Sequence, residues 1–233
     1  MSDSSKGVAF LSHVVRRLSL FEGLSENAIL RISQNVVLKS IKKQESVLNK
    51  GDRGFFLCFL LSGGLQVIDS TDDGKEIGIQ FLRTGDYFGE LSVIDGQLRS
   101  ASVIATAHSK VLTLRHAIAL DLFHNEPLVV ERVLKKLAGT IRANAMQRVI
   151  NANPSASQRV SAMLYNLTSV APGGLSVINE LPTQQQLAIM INTSRETVSR
   201  CMASLLERGI VERDYRRLIV RRPEELNRHG AIE

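Results

Sequence analysis

Thr183-Gln184-Gln185-Gln186-Leu187-Ala188-Ile189-Met190-Ile191-Asn192-Thr193 runs directly into Ser194-Arg195-Glu196-Thr197-Val198-Ser199-Arg200. Two short helical patterns meet there at a corner. Thr183 is placed to cap the first helix, with Gln186 three residues on as its capping-box partner. Ala188 is small enough for a second helix to cross close by. Asn192 falls at the corner, where a left-handed backbone costs Asn little. Ser194 is placed to cap the second helix. In that helix Val198, Cys201, Met202 and Leu205 share one face, while Arg195, Glu196 and Arg200 project away from it. The spacing predicts a helix-turn-helix whose second helix suits a major groove.

The chemistry of the triad agrees. Arg donates two hydrogen bonds to O6 and N7 of guanine, and Glu accepts from N4 of cytosine. Arg195, Glu196 and Arg200 can therefore read a G·C-rich core. The plainer alternative is a solvated charged face on an amphipathic helix. Cap, small residue, corner residue and charge triad all point the same way, which favours recognition.

Working outward, Gly209-Ile210-Val211 and Leu218-Ile219-Val220 flank Asp214-Tyr215-Arg216-Arg217, a short hairpin or wing with two Arg at its tip. Between Arg195 and Arg222 stand eight Arg against four acids, so most of the net charge of +6 gathers around this element. A basic balance favours a polyanionic partner. The length of 233 residues allows two domains. The two cysteines, Cys58 in an apolar run and Cys201 on the inward face of the second helix, read as packing residues. Their number excludes a disulfide framework or a four-Cys cluster. The polar start lacks a signal-peptide pattern, and no apolar run reaches membrane-spanning length. The expected location is cytoplasmic, with no membrane association.

Residues 1–12 are expected to be frayed. Val14, Val15, Leu18, Leu24, Ile29, Leu30 and Ile32 carry helical periodicity, with a helix start at Ser25-Glu26-Asn27. From about 36 to 118 the pattern changes to short apolar runs punctuated by glycines, with Asp72-Asp73-Gly74 as a hairpin signal. That is the pattern of a small antiparallel barrel or roll. A long helix is expected from Pro127 to Asn151. Leu134, Leu137, Ile141, Asn144 and Arg148 recur along it as a coiled-coil seam. The seam favours a homodimer, since a helix-turn-helix usually meets a two-fold site as a dimer; the alternative is a helix packed on its own roll. Asn153-Pro154-Ser155 breaks this helix. A further helix from Ser157 to Leu167 and a Pro172-Gly173-Gly174 turn precede the helix-turn-helix. The fold class is thus α+β: an N-terminal antiparallel β-roll (1–126), a long dimerisation helix (127–153) and a C-terminal winged helix-turn-helix (154–233).

One segment of the roll stands out: Gly85-Asp86-Tyr87-Phe88-Gly89-Glu90-Leu91-Ser92, followed by Gly96-Gln97-Leu98-Arg99-Ser100-Ala101-Ser102. Gly89 permits close backbone approach to a ligand. Glu90 can accept from a ribose hydroxyl. Arg99 can pair with a phosphate, with backbone N–H groups near Ser100 adding to it. From spacing alone, a Glu90–Arg99 ion pair that only holds the turn is an equal alternative.

From about residue 20 to 222 the chain resembles the cyclic-AMP receptor protein and fumarate-nitrate regulator superfamily of bacterial transcription factors. Phe88-Gly89-Glu90-Leu91 and Arg99-Ser100-Ala101 resemble its cyclic-nucleotide phosphate cassette, and Ser194 to Arg200 resembles its recognition helix. The resemblance implies a cyclic nucleotide effector (cyclic AMP or cyclic GMP) held by Gly89, Glu90, Leu91, Arg99, Ser100 and Asn144. It also implies TGTGA-like half-sites in double-stranded DNA, met by Thr183, Gln185, Ser194, Arg195, Glu196, Thr197, Arg200 and Arg216, and RNA polymerase as a partner. One departure stands out. Where the cyclic-AMP receptor offers Thr-Ser to adenine from its long helix, this chain has Asn144-Ala145. A cyclic dinucleotide, or action without a nucleotide, is therefore an alternative, and Asn144 can instead fix the dimer register.

Other sensor chemistries fit less well. An iron–sulfur sensor needs about four Cys ligands. His13, His108, His116, His124 and His229 read as ordinary polar histidines rather than haem ligands. A regulatory subunit acting through protein contacts is a second function class, which the Arg-Glu-Arg triad and basic wing disfavour. No metal-ligand cluster, nucleophile elbow or P-loop appears, so no catalytic constellation and no metal are expected.

Overall fold

The computed structural model describes residues 2–70, 76–215 and 217–228. The chain divides into two compact units, Met1–Gly139 and Thr140–Glu233.

The first unit opens with helix α1 (Ser2–Arg16), so the expectation of a frayed N-terminus does not hold. Leu11, Val14, Val15 and Leu18 recur at helical spacing; Val15 and Leu18 are buried, with Leu11 and Val14 packed against the same core. That shared burial holds the helix. After a 3-10 turn at Ser19–Phe21 comes α2 (Glu26–Ser33), capped by Ser25, whose hydroxyl accepts from Ala28 N. The roll follows: β1 (Val36–Ile41), β2 (Ser46–Leu48), β3 (Phe56–Ser62), β4 (Leu65–Ser70), β5 (Glu76–Leu82), β6 (Tyr87–Phe88), the short helix α3 (Leu91–Asp95), β7 (Ser102–Ala105) and β8 (Ser109–Arg115). Two antiparallel sheets form, in the orders β1-β8-β3-β6 and β2-β7-β4-β5. β4 and β5 pair as a hairpin; the Asp72-Asp73-Gly74 turn between them lies outside the described residues.

β3 explains why its sequence is apolar without alternation. Leu57 and Phe59 enter one core, with Phe21, Ile29, Ile32, Leu112 and Leu122. Cys58 and Leu60 enter the other, between the sheets, with Ile41, Leu65, Phe88, Val103 and Val111. Successive side chains on a strand point to opposite faces, and here both faces are buried. Burial pushes the Cys58 thiol up to about 12, so it acts as a small apolar side chain.

Helices α4 (His116–Asn125) and α5 (Pro127–Ala152) follow. Val129 and Val133 are buried in the first core and Leu137 is partly buried against it. The N-terminal part of α5 therefore packs on its own roll. Leu134 and Ile141, the other apolar seam residues, are 59% and 69% exposed.

In the second unit Asn153 ends α5 by donating to the carbonyls of Val149 and Ile150. Ser155 then caps α6 (Ala156–Leu167) in a capping box with Gln158. β9 (Ser169–Val170), β10 (Ser176–Ile178), α7 (Gln184–Met190), α8 (Arg195–Glu207), β11 (Val211–Asp214), β12 (Arg217–Val220) and α9 (Pro223–Arg228) complete it. The strands make one antiparallel sheet, β11-β12-β10-β9. Its core joins Val160, Met163, Leu164, Leu187, Ala188, Val198, Met202, Leu205 and Leu218.

Candidate functional site

The helix-turn-helix is built by local bonds. Thr183 Oγ1 accepts from Gln186 N at 3.2 Å, and Gln186 Oε1 accepts from Thr183 N at 2.8 Å. Asn192 turns the chain at φ 49°, in the left-handed region. Ser194 Oγ accepts from Thr197 N at 3.2 Å and starts α8. Arg159 braces the corner, with Nε donating to the Ile191 carbonyl at 3.0 Å. Val198, Met202 and Leu205 are buried and Cys201 is partly so. The opposite face carries Arg195, Glu196 and Arg200, all exposed. The backbone N–H at the helix start and the Ser194 hydroxyl hold the Glu196 carboxyl below its usual value, with Arg195 and Arg200 adding to this. The triad thus presents two cations flanking an ionised acceptor.

An open cleft of about 540 Å³ lies beside it, lined by Thr183, Gln184, Gln185, Arg195 and Arg213. The structure brings Thr183, Gln185 and Arg195 together there. Gln184 and Arg213 are additions that the sequence reading missed. Arg213 was hidden among eight arginines, and only the fold distinguishes it. In the wing, Arg217 is tied to Asp214 at 2.5 Å. Tyr215, at φ 51°, is fully exposed at the tip, and Arg216 lies outside the described residues.

In the roll, β6 pairs with β3, and Gly89 follows at φ 78°. Arg99 is fixed along its backbone, with its N–H donating to Asp52 O and its carbonyl accepting from Gly51 N, both at 2.9 Å. Its side chain turns inward and is 4% exposed. Nη1 donates to Gly89 O at 2.6 Å and Nη2 to Phe56 O at 2.5 Å. Nε is buried without an acceptor. Burial pulls the Arg99 pKa down from its ordinary value, with Cys58, Glu90 and Asp52 opposing.

The Glu90–Arg99 ion pair is not the arrangement found. Glu90 pairs instead with Lys136 of α5 at 3.4 Å. Lys136 Nζ also donates to the Tyr87 carbonyl and sits 3.7 Å from the Tyr87 ring centroid. Sequence reasoning missed Lys136, although it had a signal. It falls on the same α5 stripe as Val129 and Val133, where a cation needs an acid or a ring. Leu91 and Ser100 are exposed beside the cassette, and Asn144 is exposed on α5 within the second unit.

Residues 38–126 match the cyclic nucleotide-binding domain, and residues 158–229 match the Crp-like helix-turn-helix domain. The chain belongs to the cyclic-AMP receptor protein and fumarate-nitrate regulator superfamily of transcription regulators. The cyclic AMP receptor protein of Thermus thermophilus is 29% identical over 192 residues, covering 82% of this chain and 87% of that protein. The CRP-like cAMP-activated global transcriptional regulator of Mycobacterium tuberculosis is 23% identical over 94% of this chain and 100% of its own length. The crystal structure of the Thermus thermophilus catabolite activator protein superposes with a TM-score of 0.51 at 27% identity, covering 91% of this chain and 98% of that one. Superfamily membership agrees with the observed order of roll, long helix and winged helix-turn-helix. Among the described residues there is no cluster of three or more metal-ligating side chains, and no helix long and apolar enough to cross a membrane.

Proposed function

We propose that this chain is a dimeric, sequence-specific DNA-binding transcription factor, controlled by a phosphate-bearing nucleotide in the β-roll. The observation that carries the DNA reading is the exposed Arg195-Glu196-Arg200 triad on a helix whose other face is buried. Arg195 and Arg200 reach guanines and Glu196 a cytosine of a TGTGA-like half-site. Thr183, Gln185, Ser194 and Thr197 face the flanking backbone, and Arg216 is a further DNA contact. Exposed Leu134 and Ile141 supply the apolar seam of a homodimer, which positions two α8 helices on successive major grooves.

The effector reading rests on Arg99. It carries a buried Nε without an acceptor and no carboxylate within ion-pair distance among the described residues. Those are features suited to an anionic oxygen. Gly89 gives its side-chain space to the Arg99 guanidinium, Leu91 and Ser100 border the phosphate, and Glu90 takes a ribose hydroxyl. A ribose hydroxyl competes with Lys136 for Glu90, so nucleotide binding changes what holds α5. A tenfold change in DNA affinity needs only about 1.4 kcal/mol of preference for one arrangement.

A second effector class is favoured by one observation. Asn144-Ala145 aligns with the place where the cyclic-AMP receptor offers Thr-Ser, which opens cyclic GMP, a cyclic dinucleotide or action without a nucleotide as alternatives to cyclic AMP. Calorimetric titration with cyclic AMP, cyclic GMP and cyclic di-GMP, with and without a palindromic duplex, tests the proposal. One nucleotide should bind and tighten or weaken DNA binding. Absence of any nucleotide heat would remove the effector reading, and absence of salt-dependent duplex binding would remove the DNA reading.

A further inference from the structure

We infer that Arg213 is a phosphate-gripping residue, and that the cleft it shares with Arg195 seats the DNA backbone beside the half-site. The inference rests on the DNA-binding reading above. It begins with the wing's charges. Arg217 is neutralised by Asp214 at 2.5 Å, and Arg221 by Glu212 at 2.8 Å. Arg213 sits between those two acids in sequence, yet both acids are spent on other arginines. Among the described residues, no carboxylate lies within ion-pair distance of Arg213, and its side chain is exposed.

Its position gives that charge a direction. Arg213 projects from β11 into the open cleft whose other walls are Thr183, Gln184, Gln185 and Arg195. The cleft holds two guanidinium groups and three neutral hydrogen-bonding side chains, and none of its lining residues is acidic. That lining suits an anion with several acceptor oxygens. Arg195 is the first residue of α8. If α8 lies in a major groove with Arg195 at a base edge, a strand bordering the groove must pass beside Arg195. Arg213 lines the same cleft as Arg195, where that strand would pass. It therefore meets phosphate oxygens rather than a base, and fixes the wing to the duplex without reading sequence.

The test compares Arg213→Ala, Arg213→Lys and, as control, Arg217→Ala, whose arginine is already paired. Binding is measured by fluorescence anisotropy on a TGTGA-like palindrome and on a scrambled duplex across a salt series. The nucleotide condition is that giving wild-type its tightest binding: cyclic AMP, cyclic GMP or none. Arg213→Ala should weaken both duplexes by a similar factor. It should also flatten the log–log salt slope by about one unit per protomer bound. Arg213→Lys should keep most of the slope, and Arg217→Ala should change it less than Arg213→Ala does. Unchanged affinity and slope in Arg213→Ala would overturn the inference. So would a loss confined to the palindrome, which marks a base contact, or an equal loss in Arg213→Lys. A wild-type protein with no salt-dependent duplex binding would instead overturn the DNA reading, and this inference with it.

Discussion

A Cβ placed on Gly89 would lie 2.5 Å from Arg99 Nη1, and Gly89 sits at φ 78°. The two residues are matched: the missing side chain of one is the space that holds the guanidinium of the other. A left-handed backbone costs a residue with a Cβ about 1–2 kcal/mol. Displacing Arg99 from Gly89 O adds the loss of a charged hydrogen bond, about 1.5–3 kcal/mol. Gly89→Ala should therefore lower stability by about 2.5–5 kcal/mol, read from the denaturant midpoint. A midpoint within error of wild-type would show that Arg99 is free to leave this position.

Arg99→Ala should abolish nucleotide heat in calorimetry. It should also be felt by the fold, because Gly89 O and Phe56 O both lose their donor. We expect a stability loss of about 1–3 kcal/mol, leaving enough fold to assay. Wild-type nucleotide affinity in this variant would assign Arg99 to holding the turn alone.

Asn192 at φ 49° sets the corner between α7 and α8. Asn192→Val should destabilise the second unit by about 1–2 kcal/mol, since β-branched residues avoid that region. Asn192→Gly should stay within about 1 kcal/mol of wild-type. Equal losses in both variants, followed by thermal unfolding, would assign the cost to the Asn side chain rather than the backbone.

Arg200 is exposed, and among the described residues its one hydrogen bond is to Thr197 Oγ1, at a long 3.4 Å. Its removal should leave stability unchanged and cost DNA binding about 1–3 kcal/mol, with relaxed preference at one guanine. Competition against duplexes varied at single positions measures this. An equal loss on every duplex would make Arg200 a phosphate contact.

Ile141 is 69% exposed in the protomer, so Ile141→Asp does not injure the protomer's core. The variant should be monomeric by light scattering and should bind a palindromic site weakly. An unchanged dimer would place the interface elsewhere.

Much of this molecule follows from short-range rules. Thr183, Ser194, Asn192 and Ser155 act within three or four residues of their own positions, through caps and one permitted φ. Sequence alone is therefore enough to place the helix-turn-helix and the breaks around it. The roll's glycine-punctuated strands and the long helix were legible for the same reason. The N-terminal helix was not. Its stability comes from Val15 and Leu18 burying against a core assembled from distant strands, and its polar first residues hide that.

The effector cassette shows the same division. Composition and spacing brought Gly89, Glu90 and Arg99 forward, but could not decide whether the two charges pair with each other. The tertiary structure decided it: Arg99 turns into the roll onto two carbonyls, and Glu90 meets Lys136, forty-six residues away on α5. In the same way, only the wing's register separates Arg213 from Arg217 and Arg221, because it assigns both neighbouring acids to other partners. Local sequence determined where this chain bends and which faces it buries. Which charge remains unpaired depends on groups that meet only after folding, because Coulomb energy follows distance in space rather than along the chain.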